Sequence, residues 1–267
     1  MKNKFKLLII GRKSFIAESL FKFLKNKINV KLISFEKFKL CQVEYLKKFE
    51  YICNSSITKK YSTRKYNIKN DLDLIIVNKI KNIDIKYIFL SSRKIYKPGP
   101  NLFENSEIEP VDEYGKNKFI TETKIKKIIS NRLLILRISN LIGKKIKHKN
   151  QRKISKTFID NYYKNIKKNK IIYYFDEYKD FLSIDQFNKI FLEILKKKLT
   201  GIYNLSLGKK VFISEIINSL NKFKKKNIFK KIDSKKNKGF YLNNNKLLKK
   251  INLNLRKKDV LFYCYKI

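Results

Sequence analysis

The chain has 267 residues, 43% of them hydrophobic and 13% aromatic, which suffices for one large α/β domain, or one and a small lobe, and argues against global disorder. Its formal charge is +43, from 65 Lys and Arg against 22 Asp and Glu. The lysines run through the whole chain with abundant Asn, Ile, Phe and Tyr, as an AT-rich coding bias would leave them. With no Arg-rich helix, zinc spacing or aromatic ribonucleoprotein motif, this charge predicts weak nonspecific attraction to polyanions, not specific nucleic-acid binding.

No apolar run reaches the roughly 18 residues of a membrane span. The opening MKNKFKLLIIGRKS passes from an apolar run into Gly-Arg-Lys and reads as a first strand, not a signal peptide. Cys41, Cys53 and Cys264 have no metal or disulfide spacing, which fits a reducing cytoplasm and no metal site. The lone His148 lies in the Lys-rich stretch KKIKHKNQRK and reads as a solvated surface residue.

In chain order, Lys6 to Ile10 is a buried strand, and Gly11-Arg-Lys-Ser14-Phe15-Ile16-Ala17 turns into a helix reaching about Leu24. The spacing is that of a dinucleotide fingerprint with Ser14 and Ala17 at its second and third glycine positions. A plain strand-turn-helix is an equal reading. Ser14 adds a Cβ where a pyrophosphate would approach, although its hydroxyl could donate a hydrogen bond. Val30 to Ser34 is the second strand. A cofactor with a free ribose 2′-hydroxyl usually meets an acid there. The chain instead has Ser34 and Phe35, with Glu36 late and Arg12 and Lys13 in the first turn. That pattern leans to NADP, NAD being the other option; the bland alternative is two more solvated bases.

Tyr51 to Asn54 is a third strand running into Ser55-Ser56, and Asn70 to Lys79 has a helical period. Tyr87 to Leu90 is a buried strand ending at Ser91-Ser92, and Arg132 to Ile138 is another, followed by Ser139-Asn140-Leu-Ile-Gly143. Strands alternating with helices at this pitch predict a doubly wound parallel sheet. Beyond Gly143, KKIKHKNQRKISK reads as a linker or substrate loop. Lys156 to Lys168 has a helical period, Lys170 to Phe175 is strand-like, and Ile184 to Lys197 and Ile213 to Phe223 are helices. A Lys/Asn-rich tail follows, with Tyr241 to Leu248 as its last folded patch.

The chemistry concentrates between Ser91 and Lys118. Tyr114 and Lys118 lie four apart in a helical segment and so share a face. A fixed ammonium favours phenolate and draws a phenol towards the range where general acid/base catalysis works. Spacing alone is weak, since Tyr61/Lys65 and Tyr163/Lys167 repeat it. Tyr114 follows the buried strand that ends on Ser91-Ser92, and strand ends of open α/β sheets are where ligands bind. For Ser91 the expectation is a strand-end bond to backbone.

In order, GRKSFIA, YICNSS, FLSSRKIY, EYGKNK, LRISNLIG, KDFLSIDQF and TGIYNLSLG resemble the extended short-chain dehydrogenase/reductases. The similarity is to the NAD-dependent epimerase/dehydratase and dTDP-4-dehydrorhamnose-reductase-like branch, to about Ser219. It implies a Rossmann-like fold, with residues 1–143 binding NAD(P). Residues 144–267 would form a small C-terminal substrate lobe with segments returning to the first domain. It implies a reductase or epimerase of a nucleotide sugar, such as a 4-keto-6-deoxy sugar, in surface polysaccharide biosynthesis, with a homodimer as one option.

By that resemblance Ser92 bonds the reacting oxygen, Tyr114 transfers the proton, and Lys118 holds the nicotinamide ribose and tunes Tyr114. Gly11, Arg12, Ser14, Phe15, Ile16, Asn54, Ser55, Ser56 and Ile138 would line the cofactor, Ser139 would lie near the nicotinamide, and Asn140 would reach the sugar nucleotide. The related 4,6-dehydratases carry an acidic pair directly after the catalytic Ser/Thr; here those positions are Arg93 and Lys94, which argues against dehydration. Two alternatives remain: a catalytically silent cofactor sensor, and a basic binding protein.

Overall fold

The computed structural model describes residues 3–143, 162–164, 166, 168, 171–221, 229–232 and 239–267. His148, the linker-like stretch after Gly143 and most of the expected helix over 156–168 lie outside the described residues. The chain divides into two compact units that alternate along the sequence. The first comprises Met1–Lys97, Glu107–Ile138 and Asn188–Tyr203; the second comprises Pro98–Ser106, Ser139–Phe187 and Asn204–Ile267.

The first unit is built from β1 (Asn3–Ile10), α1 (Phe15–Leu24), β2 (Ile28–Ile33), α2 (Phe35–Leu40), α3 (Val43–Leu46), β3 (Tyr51–Asn54), α4 (Lys59–Thr63), α5 (Leu72–Ile80), β4 (Lys86–Ser92), α6 (Glu113–Ile129) and β5 (Leu133–Ile138). A six-stranded sheet runs β10-β5-β4-β3-β1-β2, where β10 is Gly201–Leu205. Strands β1 to β5 pair in parallel, with Leu7 opposite Val30 and Tyr51, Cys53 opposite Ile88, and Tyr87 opposite Leu133. Parallel strands covered on both faces need continuous apolar runs. Leu7 to Ile10, Tyr87 to Leu90 and Leu133 to Leu136 meet that need and are buried. Strand order reverses between β1 and β3, so the carboxyl ends of the two strands that flank this point, Ile10 and Asn54, stand at the switch point where open α/β sheets receive ligands.

Helix α6 starts at Asp112, whose carboxylate accepts from the Gly115 N–H at 2.8 Å and caps it. A Cβ on Gly115 would lie 2.2 Å from the Lys94 carbonyl oxygen. Glycine therefore lets the first turn of α6 close against the 3-10 turn Arg93–Ile95 that follows β4.

In the second unit, β6 (Asn140–Ile142) pairs in parallel with β9 (Phe181–Ser183), and β8 (Tyr178–Lys179) pairs antiparallel with β11 (Val211–Phe212). Strands β7 (Ile172–Phe175) and β12 (Phe229–Ile232) form a further parallel pair. Helix α7 (Ile184–Lys196), which belongs to the first unit from Asn188 onward, buries Phe187, Ile190, Phe191, Ile194 and Leu195, the stripe its period predicts. Helix α8 (Ile213–Asn221) packs with the last helix, α10 (Lys257–Lys266), and α9 is the single turn Asn245–Leu248. The expectation that Tyr241 to Leu248 is the last folded patch is corrected by α10, which buries Val260 and Cys264. Among the described residues no helix is long and apolar enough to cross a membrane.

Candidate active site

The site grows from the strand ends of the first unit. Gly11 follows β1 with φ +124°, and a Cβ there would come 3.0 Å from the Ser56 nitrogen and 3.1 Å from the Ser55 carbonyl carbon. Both the conformation and the close approach require glycine. Ser14 precedes α1 but does not cap it with its side chain. Its hydroxyl is hydrogen-bonded to that of Ser55, tying the glycine turn to the loop after β3. Arg12 and Lys13 are exposed, and Phe15 and Ile16 are half-buried at the start of α1. Ser34 caps α2 by accepting from the Lys37 N–H, and Glu36 is exposed and paired with Lys39.

Asn54 is buried with its amide fully used. It donates to the Asp73 carboxylate at 2.9 Å and to the Ser56 carbonyl, while its oxygen accepts from the Ser56 N–H. Asn54 thus shapes the Ser55-Ser56 loop.

Ser92 ends β4 opposite Ile138 of β5, and both are buried. The Ser92 oxygen accepts from the Lys94 N–H at 3.2 Å, which leaves the hydroxyl proton to donate. Ser91 departs from its expected backbone bond: its hydroxyl donates to Glu122. Glu122 is paired with Arg137 at 2.8 Å, and Arg137 donates to the Tyr96 hydroxyl. Both charges are buried, so hydrogen bonding and pairing have to offset their desolvation. The network joins β4, the turn after it, β5 and α6.

Tyr114 is half-buried between two ammonium groups, Lys118 at 6.0 Å and Lys94 at 5.8 Å from its ring centre. Lys94 is held by an ion pair with Asp112. Lys118 is buried, 4.5 Å above the Phe89 ring, with Nζ 3.6 Å from Asp73. Burial alone would lower its pKa, but Asp73, then Tyr114 and Asp71, more than offset this and hold the ammonium above its ordinary range. Tyr61, one of the two decoys, is not a surface residue. It is buried, bonded to Thr121 at 2.7 Å, and its ring lies 5.6 Å from the Lys118 nitrogen.

In the second unit Ser139 and Asn140 anchor β6: the Ser139 N–H donates to Leu205, the Asn140 N–H donates to Asp180, and the Asn140 side-chain nitrogen is buried without a partner. Sequence reasoning missed Asp73, Gly115, Glu122 and Arg137. The signal for Asp73 was present, since it falls on the same face of α5 as Ile76, Val77 and Ile80, all buried. Among the described residues no group of His, Cys, Asp and Glu is placed to hold a metal.

A doubly wound sheet with a Tyr/Lys helix beside a serine-ended strand defines an α/β protein of the dinucleotide-binding type. The model of the NAD-dependent epimerase/dehydratase family matches residues 52–206, more than half of the chain, and the chain belongs to that family. No curated protein matches. Among solved structures, a UDP-N-acetylglucosamine 4-epimerase from Methanobrevibacter ruminantium M1, in complex with UDP-N-acetylmuramic acid, has a TM-score of 0.79 at 18% identity, over 100% of this chain and 97% of that one. A UDP-glucuronic acid 4-epimerase from Bacillus cereus, in complex with NAD, gives 0.74 at 17% over 97% and 98%. A dTDP-glucose 4,6-dehydratase from Bacillus anthracis str. Ames, in complex with NAD, gives 0.73 at 14% over 98% and 96%.

Proposed function

We propose that the protein is an NAD(P)-dependent reductase or epimerase of a nucleotide sugar, with a 4-keto-6-deoxy sugar as the first substrate to test. The observation that carries this reading is Tyr114 held beside the buried Lys118, on a helix that Gly115 allows to close against the end of the Ser92 strand. The solved neighbours in complex with NAD or a nucleotide sugar support the ligand class.

The residues fit a dinucleotide. Gly11 leaves the turn after β1 without a side chain, and the first turn of α1 has no side-chain cap, so its amides remain for a pyrophosphate. Gly11, Arg12, Ser14, Phe15 and Ile16 would hold the phosphates, Ser55 and Ser56 the adenosine side, and Lys118 and Ile138 the nicotinamide half. Asn54 would act by shaping the loop. The ribose end lacks an acid after β2, Ser34 is engaged as a cap, and Arg12 is exposed, which favours NADP. Residues 1–143 would carry the cofactor, and the lobe from 144 onward, with Asn140 before it, the sugar nucleotide.

When bound, the cofactor supplies or accepts the hydride. Negative charge then develops on the sugar oxygen, and the free Ser92 proton and the Tyr114 hydroxyl would stabilise it, with Tyr114 transferring the proton. Arg93 and Lys94 stand where elimination of water would need an acid and a base; Arg93 cannot lose its proton and Lys94 is paired with Asp112. Incubation with dTDP-, UDP-, GDP- and CDP-linked hexoses and 4-keto sugars, with NADPH or NADH, tests the reading by mass. Reduced or epimerised product is expected, and a product lighter by one water, formed at an enzymatic rate, refutes it.

A second reading rests on the Ser14–Ser55 hydrogen bond, which spans the turn a pyrophosphate would approach. It makes the chain a silent, cofactor-sensing member. Cofactor binding without turnover on any of these sugars would favour it.

A further inference from the structure

The Lys118 ammonium sits in a pocket the epimerase/reductase reading does not explain. Beyond Asp73, the polar and titratable groups around it are Asp71 at the start of α5, Tyr61 of α4, Tyr114 of α6, Cys53 of β3 and, through Asp73, Tyr87 of β4. Among these described groups, Asp73 is the one that forms an ion pair with it. Asp73 itself is 4% exposed. One carboxylate oxygen accepts from the Tyr87 hydroxyl at 2.6 Å and from the Asn54 amide at 2.9 Å, and the other faces Lys118 at 3.6 Å. Asp71, by contrast, is committed to the Leu74 N–H, Tyr66 and Thr121. The rings of Phe89, Tyr61 and Tyr114 lie 4.5, 5.6 and 6.0 Å from the ammonium.

We propose that Asp73 is the positioning residue of this site: its buried carboxylate fixes Lys118 beside Tyr114 and keeps it charged before any ligand arrives. The physical ground is that a lysine sealed from water and left unpaired loses its proton easily, whereas a buried carboxylate partner retains it. Tyr87 and Asn54 hold the carboxylate in place, so Asp73 is itself fixed by side chains from two strands of the sheet. Because Asn54 also shapes the Ser55-Ser56 loop, Asp73 and Asn54 link Lys118 to the loop that would face the cofactor. The catalytic consequence rests on the proposed function; the charge state of Lys118 does not.

The test is the NMR titration of 13C-labelled lysine side chains between about pH 6 and about pH 9.5, where ordinary lysines stay charged. The Lys118 resonance is the one lost in Lys118→Met. In the parent protein it should show no deprotonation in this range; deprotonation at or below the surface lysines would overturn the proposal without any Asp73 variant. In Asp73→Asn, which keeps an acceptor for Tyr87 and Asn54, one lysine resonance should titrate within the range and be absent from Asp73→Asn/Lys118→Met. A titration unchanged from the parent overturns the proposal. NADPH and NADH titrations add a functional arm. Asp73→Asn should match the parent near pH 6 and bind about tenfold more weakly for each pH unit above the new lysine pKa. An equal loss at all pH values marks a merely structural role and counts against the proposal. If the parent binds neither cofactor, the enzyme reading fails while the lysine titration still decides the role of Asp73.

Discussion

Two buried carboxylates, one in each unit, are satisfied in opposite ways. Asp73 in the first unit is surrounded by side chains: an ammonium, a phenol and an amide. Asp180 in the second unit, fully buried, accepts chiefly from backbone, namely the N–H groups of Leu207, Gly208 and Leu242 at 2.9, 3.1 and 3.2 Å, with the Ser139 hydroxyl as a lesser contributor. Burial raises the pKa of both, against the pull of their donors. Side-chain partners bring protons and charges that chemistry can use. Backbone partners pin loops: Asp180 ties β9's approach to the turn after β10 and to the segment around Leu242. The first unit's acid therefore belongs to the cluster proposed for the chemistry, and the second unit's acid holds loops together.

Substitutions should separate the two. Tyr114→Phe in the first unit should lower turnover by about 10²- to 10⁴-fold, the usual worth of a positioned acid/base, while cofactor affinity and melting temperature stay near the parent values. Lys118→Met should reduce both binding and rate. Steady-state rates and cofactor titration check this, and a near-normal rate for Tyr114→Phe removes Tyr114 from the mechanism.

Asp180→Asn should act the other way, costing stability and not chemistry. The amide nitrogen would face backbone N–H donors, leaving one or two buried groups unpaired, for a loss of about 2–3 kcal/mol by denaturant unfolding. The pH dependence has a definite sign. Burial pushes the Asp180 pKa up to about 6 against an unfolded value near 4. The folded state therefore binds the extra proton, and the contribution of this group is full below about pH 4 and is lost as pH rises through about 6. The gap between parent and Asp180→Asn should widen as pH falls through that window. A gap that narrows would show that the three N–H bonds govern the titration instead.

At the cofactor end of the first unit the expected effect is smaller. NADPH should bind more tightly than NADH, and Arg12→Ala should shrink the difference by about tenfold, the worth of an Arg–phosphate contact of about 1–2 kcal/mol. Equal affinities in the parent, or a preference for NADH, would remove Arg12 from this role.

The same contrast explains what could be read from the chain. Strands β1, β4 and β5 were legible because parallel strands buried on both faces leave unbroken apolar runs. Helix α6 was legible through Tyr114 and Lys118. Helix α2 was not: it has six residues and begins on a cap at Ser34 that reads equally well as a turn. Helix α10, KKDVLFYCYK, hides because charge and aromatics fall on every face. Asp73 stayed unread because the stretch NDLD looks like a helix start with two interchangeable acids. Asp71 is the cap, and the second acid turns inward among Ile76, Val77 and Ile80. Its partner is 45 residues away in sequence, at Lys118, and only the fold brings the two together.

The smallest effect tests the role of context most directly. Tyr163 has Lys167 four residues on, the same pattern as Tyr114 and Lys118. It sits in the second unit, packed edge-on against the Tyr162 ring at 5.4 Å, and burial raises its pKa. A phenol with a raised pKa is a poorer acid/base at neutral pH, the opposite of what a fixed cation does. Tyr163→Phe keeps the ring and its edge-to-face contact and removes only the hydroxyl. Turnover should stay within about twofold of the parent, and stability should fall by no more than about 1 kcal/mol. Tyr61→Phe is the sharper control. That hydroxyl is buried with Thr121 beside the Lys118 pocket, so its loss should disturb stability and Lys118 while leaving the transferred proton with Tyr114. If Tyr163→Phe instead lowered turnover as far as Tyr114→Phe, the spacing and not the strand-end setting would define the site, and the assignment of chemistry to the first unit would fall with it.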